Sequence, residues 1–305
     1  MDVIEWGRAV CYSGYRENQS PKDKTYPSKK EILEDLNIIV KEGFKYIRMY
    51  DACEYTERVC DVIRENKLPL LVMQGPGLIN EVNNAGCEWN KTIYSEEELA
   101  ERRKQNEKAI DRLVSMANRY SDIIFCVSVG NENTPSWGEN TVPVERLCLY
   151  ADRLKKETGK PVTFNEGARE WRKAEIAPLV EHMDLICIHS YPLWYGLRVD
   201  EALKANKEDY EAVKALYPGK QVIFSEAGWT TKTLPNHGMV NDQPNEKNQA
   251  EYYSQFWEWT DREKITAFVF EMFDEPWKGS GNPDESEKHW GIYNVDRSPK
   301  LYWKK

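Results

Sequence analysis

Apolar residues alternate between two patterns along the whole chain. Short, largely apolar runs without polar alternation lie at Ile4 to Cys11, Tyr46 to Tyr50, Leu68 to Met73, Ile123 to Val129, Val162 to Phe164, Leu185 to His189, Val222 to Ser225 and Ile265 to Phe270. They predict strands buried on both faces. Between them lie amphipathic stretches; in the first, Ile32, Leu33, Leu36, Ile39 and Val40 share one helical face at spacings of three and four. The later stretches run Glu54 to Asn66, Glu96 to Tyr120, Val144 to Thr158, Trp171 to His182, Glu201 to Tyr217 and Glu246 to Asp261. Strands without polar alternation, each followed by a helix, imply a parallel sheet covered by helices, and eight such units close an α/β fold of the (β/α)8 TIM barrel type. An open doubly wound sheet is the runner-up, but no GxGxxG or GxxxxGK[ST] follows any strand. No repeat or linker divides the sequence, so residues 1–305 are expected to form a single domain.

Barrels of this class carry their chemistry where strands end and loops begin. Those ends read Tyr12 to Tyr15, Arg48 to Asp51, Gln74 to Gly77, Gly130 to Asn133, Asn165 to Gly167, His189 to Trp194, Glu226 to Trp229 and Glu271 to Lys278. Carboxylates, amides and aromatics dominate every rim. Sugar rings stack their C–H faces on aromatics and offer hydroxyls to such polar groups. Breaking a glycosidic bond needs one protonated carboxyl for the leaving oxygen and one ionised carboxylate facing the anomeric carbon. Glu132, ending strand four, and Glu226, ending strand seven, supply such a pair.

Composition narrows the partners. The formal net charge is -9, which disfavours nucleic acid and anionic membrane surfaces, because both need clustered Lys and Arg. Aromatics make up 12%, with 11 Trp and 17 Tyr, more than a core ordinarily uses, so some rings should line a cleft. The seven Cys form no CxxC pair, and Cys11, Cys126 and Cys187 lie in apolar runs, so reduced core thiols are expected. With four His and no HxH or HExxH, a metal is not expected and no cofactor is called for. No apolar stretch reaches membrane-span length, and the N-terminus lacks the basic-then-apolar pattern of a signal peptide.

Val129-Gly130-Asn131-Glu132, together with Phe224-Ser225-Glu226-Ala227-Gly228-Trp229, resembles glycoside hydrolase family 17, β-1,3-glucanases of a (β/α)8 retaining clan. Arg48-Met49-Tyr50, Ser190-Tyr191-Pro192, Glu271 to Lys278 and the closing His289-Trp290-Gly291-Ile292-Tyr293, with Lys300 and Tyr302, extend the resemblance over nearly the whole chain. The resemblance implies that Glu132 is the acid/base and Glu226 the nucleophile, that Asn131 bonds the sugar 2-hydroxyl, and that Tyr191 orients Glu226. It also implies places for Glu275 and Lys278 around the centre. Glu271 and Trp277 make it closer to microbial than plant members. Tyr12, Arg48, Tyr50, Trp194, Trp229 and Trp277 complete the expected substrate-binding set, with Trp229 and Trp277 as sugar platforms.

Trp171, Trp257 and Trp259 sit in helical patterns and are expected to pack. Glu166 repeats the Asn-Glu pattern one strand on and reads as a subsite or structural residue. His189 is left open between the site and the core. The implied reaction is double displacement on laminarin-type glucan by a monomer. Transglycosylation, another β-linkage such as β-1,6 or β-1,4, and a non-catalytic glucan-binding barrel are the alternatives. Such an activity implies a secreted, periplasmic or surface-attached protein whose leader this chain lacks.

Overall fold

In the computed structural model, which describes residues 2–304, the eight expected strands form a closed parallel barrel in sequence order. They are β1 (Ala9–Cys11), β2 (Tyr46–Met49), β3 (Leu71–Gln74), β4 (Ile124–Asn131), β5 (Val162–Gly167), β6 (Leu185–Ser190), β7 (Gln221–Ala227) and β8 (Ala267–Val269). The closing seam pairs Ala9 with Phe268 and Val10 with Val269. The strand interiors are almost wholly buried, as uninterrupted apolar runs require. The first strand is shorter than expected because the Val3 and Ile4 amides donate to the Gln221 side chain instead of to a neighbouring strand.

The helices are α1 (Lys29–Lys41), α2 (Glu54–Asn66), α3 (Glu96–Arg119), α4 (Val144–Thr158), α5 (Ala177–Val180), α6 (Val199–Leu216) and α7 (Glu246–Glu263). Ser28 with Glu31 and Ser95 with Glu98 form capping boxes that start α1 and α3. Along α1, Ile32, Leu36 and Ile39 are fully buried, each worth about 1.5–3 kcal/mol relative to exposure.

Two expected features are absent. The helix expected from Trp171 to His182 is broken into 3-10 turns at Glu170–Arg172 and Ala174–Ile176 and the single turn of α5. A continuous helix would put Pro178 in its interior, without an amide to donate and with its ring against the Ala174 carbonyl. After β8 no eighth α-helix follows among the described residues. A final 3-10 turn, Leu301–Trp303, instead lays Tyr302 and Trp303 against Trp257 at ring separations of 5.3 and 5.1 Å. All seven Cys are free thiols, and among the described residues no helix is long and apolar enough to cross a membrane.

Candidate active site

Both central glutamates stand where the strand ladder slips. Between β4 and β5 the pairing passes from Ser128↔Thr163 to Asn131↔Asn165, which leaves one extra residue on β4. Between β6 and β7 it passes from Ile188↔Phe224 to His189↔Glu226, with the extra residue on β7. Bulges of this kind re-aim side chains at barrel rims. The β4 bulge depends on Gly130, because a Cβ there would sit 2.2 Å from Asn133 Oδ1. That oxygen accepts from the Asn131 amide at 2.8 Å, while Asn133 Nδ2 donates to the Asn140 carbonyl at 2.6 Å. Glu132 follows in a left-handed conformation at φ +48°, a strain of about 1–2 kcal/mol for a residue with a side chain. Its amide is tied to the Asn165 carbonyl at 3.0 Å.

The two bulges bring the side chains together. Glu132, Glu226 and His189 each offer a ligand atom within 4.8 Å of the other two. His189 Nδ1 lies 2.8 Å from Glu132 Oε1 and 3.5 Å from Glu226 Oε2. Glu226 Oε1 accepts from Arg48 Nη1 at 2.6 Å and Tyr50 OH at 2.8 Å, and its Oε2 accepts from Tyr191 OH at 2.5 Å. Burial pushes the Glu226 carboxyl up, but the His189 imidazole and the Arg48 guanidinium, with the Tyr191 and Tyr50 hydroxyls, outweigh it and hold the group at about 2.

Arg48, 1% exposed, is satisfied on every side. Besides Glu226 it donates to the Ser225 carbonyl at 3.0 Å and to Asn131 Oδ1, and it stacks over Tyr50. Oriented with its amide oxygen toward the guanidinium, Asn165 accepts from Arg48 Nε at 3.1 Å. Such full coordination is what a desolvated guanidinium requires. The Glu132–His189–Glu226 set also has a donor pattern that a metal could use. However, the Arg48 charge 2.6 Å from Glu226 opposes a second cation, and three protein donors already occupy the Glu226 oxygens.

A second ionic group lies on the β8 side. Lys278 Nζ donates to Glu271 Oε2 at 2.9 Å and forms an ion pair with Glu275, and Trp277 Nε1 donates to Glu275 Oε1 at 2.9 Å. Burial and the neighbouring Glu275 push the Glu271 carboxyl well up, whereas the Lys278 ammonium holds Glu275 below its usual range despite burial. Glu271 Oε1 is buried without a hydrogen-bond partner. Trp277 is partly buried, edge-on to Tyr15 at 5.8 Å, and Trp194 is 39% exposed on the β6 rim.

Two expected contacts are corrected. Trp229 is fully buried, with Nε1 donating to the Gln243 carbonyl at 3.1 Å and its ring on Tyr252, so it packs under the rim and offers no face to a sugar. Tyr12, 1% exposed, points outward to Asp35 on α1, its hydroxyl donating at 3.1 Å. Residues that end a barrel strand turn alternately inward and outward, and both fall on the outward phase. Trp171, Trp257 and Trp259 are buried, as their helical patterns imply.

Glu166 is also buried, its Oε2 accepting from Thr134 Oγ1 at 2.8 Å, just past Glu132. Burial, with the Glu132 charge, pushes its carboxyl up to about 8. His189, open on sequence alone, touches both central glutamates. Glu287 was missed altogether. It is half-buried, its Oε1 accepting from Trp290 Nε1 at 3.4 Å, and burial pushes its carboxyl up. No local motif marks it, and its position is set only by the return of the chain after β8.

The chain is similar to several known proteins. A glucan 1,3-beta-glucosidase from Arthroderma benhamiae is 28% identical over 63% of this chain and 65% of its own length. An Aspergillus niger protein of the btgC type is 26% identical over 90% of this chain and 40% of its own. The chain thus spans less than two thirds of either relative. The barrel superimposes on an endo-laminarinase from Formosa Hel1_33_131 with a TM-score of 0.81 at 24% identity, covering 97% of this chain and 86% of the other. It also superimposes on a glycoside hydrolase family 17 beta-1,3-glucanosyltransferase from Rhizomucor miehei at 0.73 and 18%, covering 97% and 96%. A family model, the BtgE/BtgC glycoside hydrolase domain, matches residues 9–291, and the chain belongs to that family.

Proposed function

We propose that this barrel is a retaining β-1,3-glucan hydrolase of the glycoside hydrolase family 17 type, with Glu226 as nucleophile and Glu132 as acid/base. The observation that carries the reading is the approach of the two carboxylates, with ligand atoms within 4.8 Å. Retaining enzymes hold their carboxyl groups about 5–5.5 Å apart, whereas inverting ones leave about 6.5–9.5 Å for a water.

In the first step Glu226 attacks the anomeric carbon as the bond to the leaving oxygen breaks, and Glu132 gives that oxygen its proton. Arg48, Tyr50 and Tyr191 keep Glu226 ionised and aimed. In the second step Glu132 takes a proton from water, whose oxygen attacks the glycosyl ester from the face the leaving group vacated, and Glu226 departs as carboxylate. The two inversions return the original configuration. Asn131, fixed by Arg48 beside Glu132, bonds the sugar 2-hydroxyl in this reading. The relatives' names support β-1,3-glucan as substrate over the other β-linkages.

The test is a time-resolved NMR digest of laminarin alongside β-1,6- and β-1,4-glucans. The expected result is cleavage of laminarin with the β-anomer released first. An α-anomer first, or no reducing sugar from any glucan, would overturn the mechanism or the enzymatic reading respectively.

A further inference from the structure

Two large rings stand exposed on the same rim with no part in the chemistry described so far. Trp89, on the loop from β3 to α3, is 64% exposed, and Trp137, on the loop from β4 to α4, is 43% exposed. Their ring centroids lie 6.2 Å apart with planes tilted by 46°, and among the described residues neither has another aromatic partner. Among the described residues no Arg or Lys lies over either face, unlike the rings of Trp257 and Trp277. A pair of tryptophans held in water is unusual for a soluble surface and points to a ligand.

The pair is built, not incidental. Asn84 Nδ2 donates across the two loops to the Ser136 carbonyl at 2.9 Å, the Gly138 carbonyl at 2.7 Å and Thr141 Oγ1 at 3.1 Å. The Glu81 amide donates to the Thr141 carbonyl, and the buried Glu81 carboxylate is anchored by Arg146 at 3.0 Å and Tyr150 at 2.7 Å. At Gly86 the loops approach so closely that a Cβ would lie 2.5 Å from the Ser136 carbonyl oxygen. The Trp137 loop is also the loop of Glu132: a Cβ on Gly138 would sit 3.1 Å from the Glu132 carbonyl oxygen.

This adjacency fixes the side of the cleft. A general acid reaches the leaving oxygen from the side on which the departing sugar extends. The first units beyond the cleaved bond therefore lie against the loop that carries Glu132. We infer that Trp89 and Trp137 form an acceptor-side platform, on which the leaving part of a β-glucan, or an incoming saccharide acceptor, stacks its pyranose faces. The inference rests on Glu132 being the acid. The tilt between the rings suits consecutive pyranoses, which turn relative to one another, better than it suits a flat ligand needing parallel faces. An acceptor held there competes with water: its hydroxyl oxygen bonds the anomeric carbon, its proton passes to Glu132, and Glu226 leaves as carboxylate. The product is then a lengthened glucan.

The experiment pairs Trp89→Ala/Trp137→Ala with unmodified protein on two substrates, laminarihexaose and a nitrophenyl β-laminaribioside whose leaving group is too short to span both rings. The expected result is a fall of about tenfold or more in the preference for hexaose over the aryl glycoside, since remote contacts feed transition-state binding. The ratio of transfer to hydrolysis with added laminaribiose should fall in step, and Trp137→Phe should restore part of both. In a Glu226→Ala background, laminarihexaose should quench tryptophan fluorescence, and the double variant should weaken that binding by a similar factor. An active protein whose double variant keeps the wild-type preference and affinity overturns the platform alone. A parent protein inert on the aryl glycoside instead sinks the catalytic reading, and the acceptor-side assignment with it.

Discussion

Glu226 and Glu132 both stand on bulged strand ends, yet the barrel holds them differently. The Glu226 side chain is 7% exposed, and three donors from β2 and the β6 rim fix both its oxygens. The Glu132 side chain is 27% exposed and meets His189 alone among those contacts, on a strained residue at the start of a loop. A nucleophile has to be ionised and aimed before substrate arrives, which suits a rigid, charged surround. An acid/base has to lose and regain a proton in every cycle, which suits a group with access to water and some freedom. The contrast is therefore a division of labour written into exposure and hydrogen bonding.

The largest effect should come from separating the two roles by leaving group. Glu226→Ala should abolish turnover on glucan and on a dinitrophenyl β-laminaribioside alike, because both need the covalent step. Glu132→Ala should lose about 10²–10⁴ on glucan but form the glycosyl-enzyme from the dinitrophenyl substrate at close to the normal rate, since that phenolate departs unprotonated. Azide sharpens the comparison: it should yield the β-glycosyl azide with Glu132→Ala and the α-azide with Glu226→Ala. Equal losses on both substrates in the Glu132 variant would erase the distinction.

Arg48→Met probes the rigid side. It leaves a buried carboxylate without its main cation, at a cost of about 3–5 kcal/mol in stability at neutral pH. Because the folded Glu226 carboxyl sits at about 2, below the ordinary value of about 4.3, the stability it contributes is present above that ordinary value and is lost as pH falls toward 2. The deficit of Arg48→Met in chemical denaturation should therefore shrink as pH falls below about 4. The acid limb of kcat/KM should move to higher pH, because burial then acts on Glu226 with less opposition. A pH-independent deficit with an unmoved acid limb would mean that Arg48 only packs.

How much of this was legible beforehand follows the same divide. The eight strands and the two glutamates were readable because buried parallel strands need continuous apolar runs, and because the strand-end residues fall at fixed places in such a pattern. Strand phase was not readable. The slips between β4 and β5 and between β6 and β7 shift which neighbours face inward, so Trp229 reads as a site residue although it packs beneath the rim; Tyr12 follows β1, where no slip occurs, and turns outward by the ordinary alternation of a strand. The break at Pro178 was written in the sequence and outweighed by an apolar periodicity that α5 satisfies for only one turn. Glu287 and the Trp89–Trp137 pair depend on where long loops return, which no local spacing encodes.

The change expected to touch catalysis least tests the support beneath the freer side. Glu166 is buried beside the Glu132 loop, and its carboxyl is pushed up to about 8 by burial and by the Glu132 charge. In the unfolded chain the same group ionises near 4.3, so between about pH 4 and 8 the unfolded state binds fewer protons than the folded one. Folding stability is therefore lost to this residue as pH rises across that window, by an amount on the order of a few kcal/mol. Glu166→Gln resembles the neutral acid and has no charge to bury, so the loss disappears. Its stability relative to the parent, read from urea midpoints, should rise steadily from pH 4 to 8 and level off above. A flat difference would mean that Glu166 stays ionised in the folded protein, with the Thr134 hydroxyl and the Thr134 and Gly167 amides carrying its charge. In that case the Glu132 loop would rest on a fixed anion, and the two sides of the site would be more alike in rigidity than their exposures suggest.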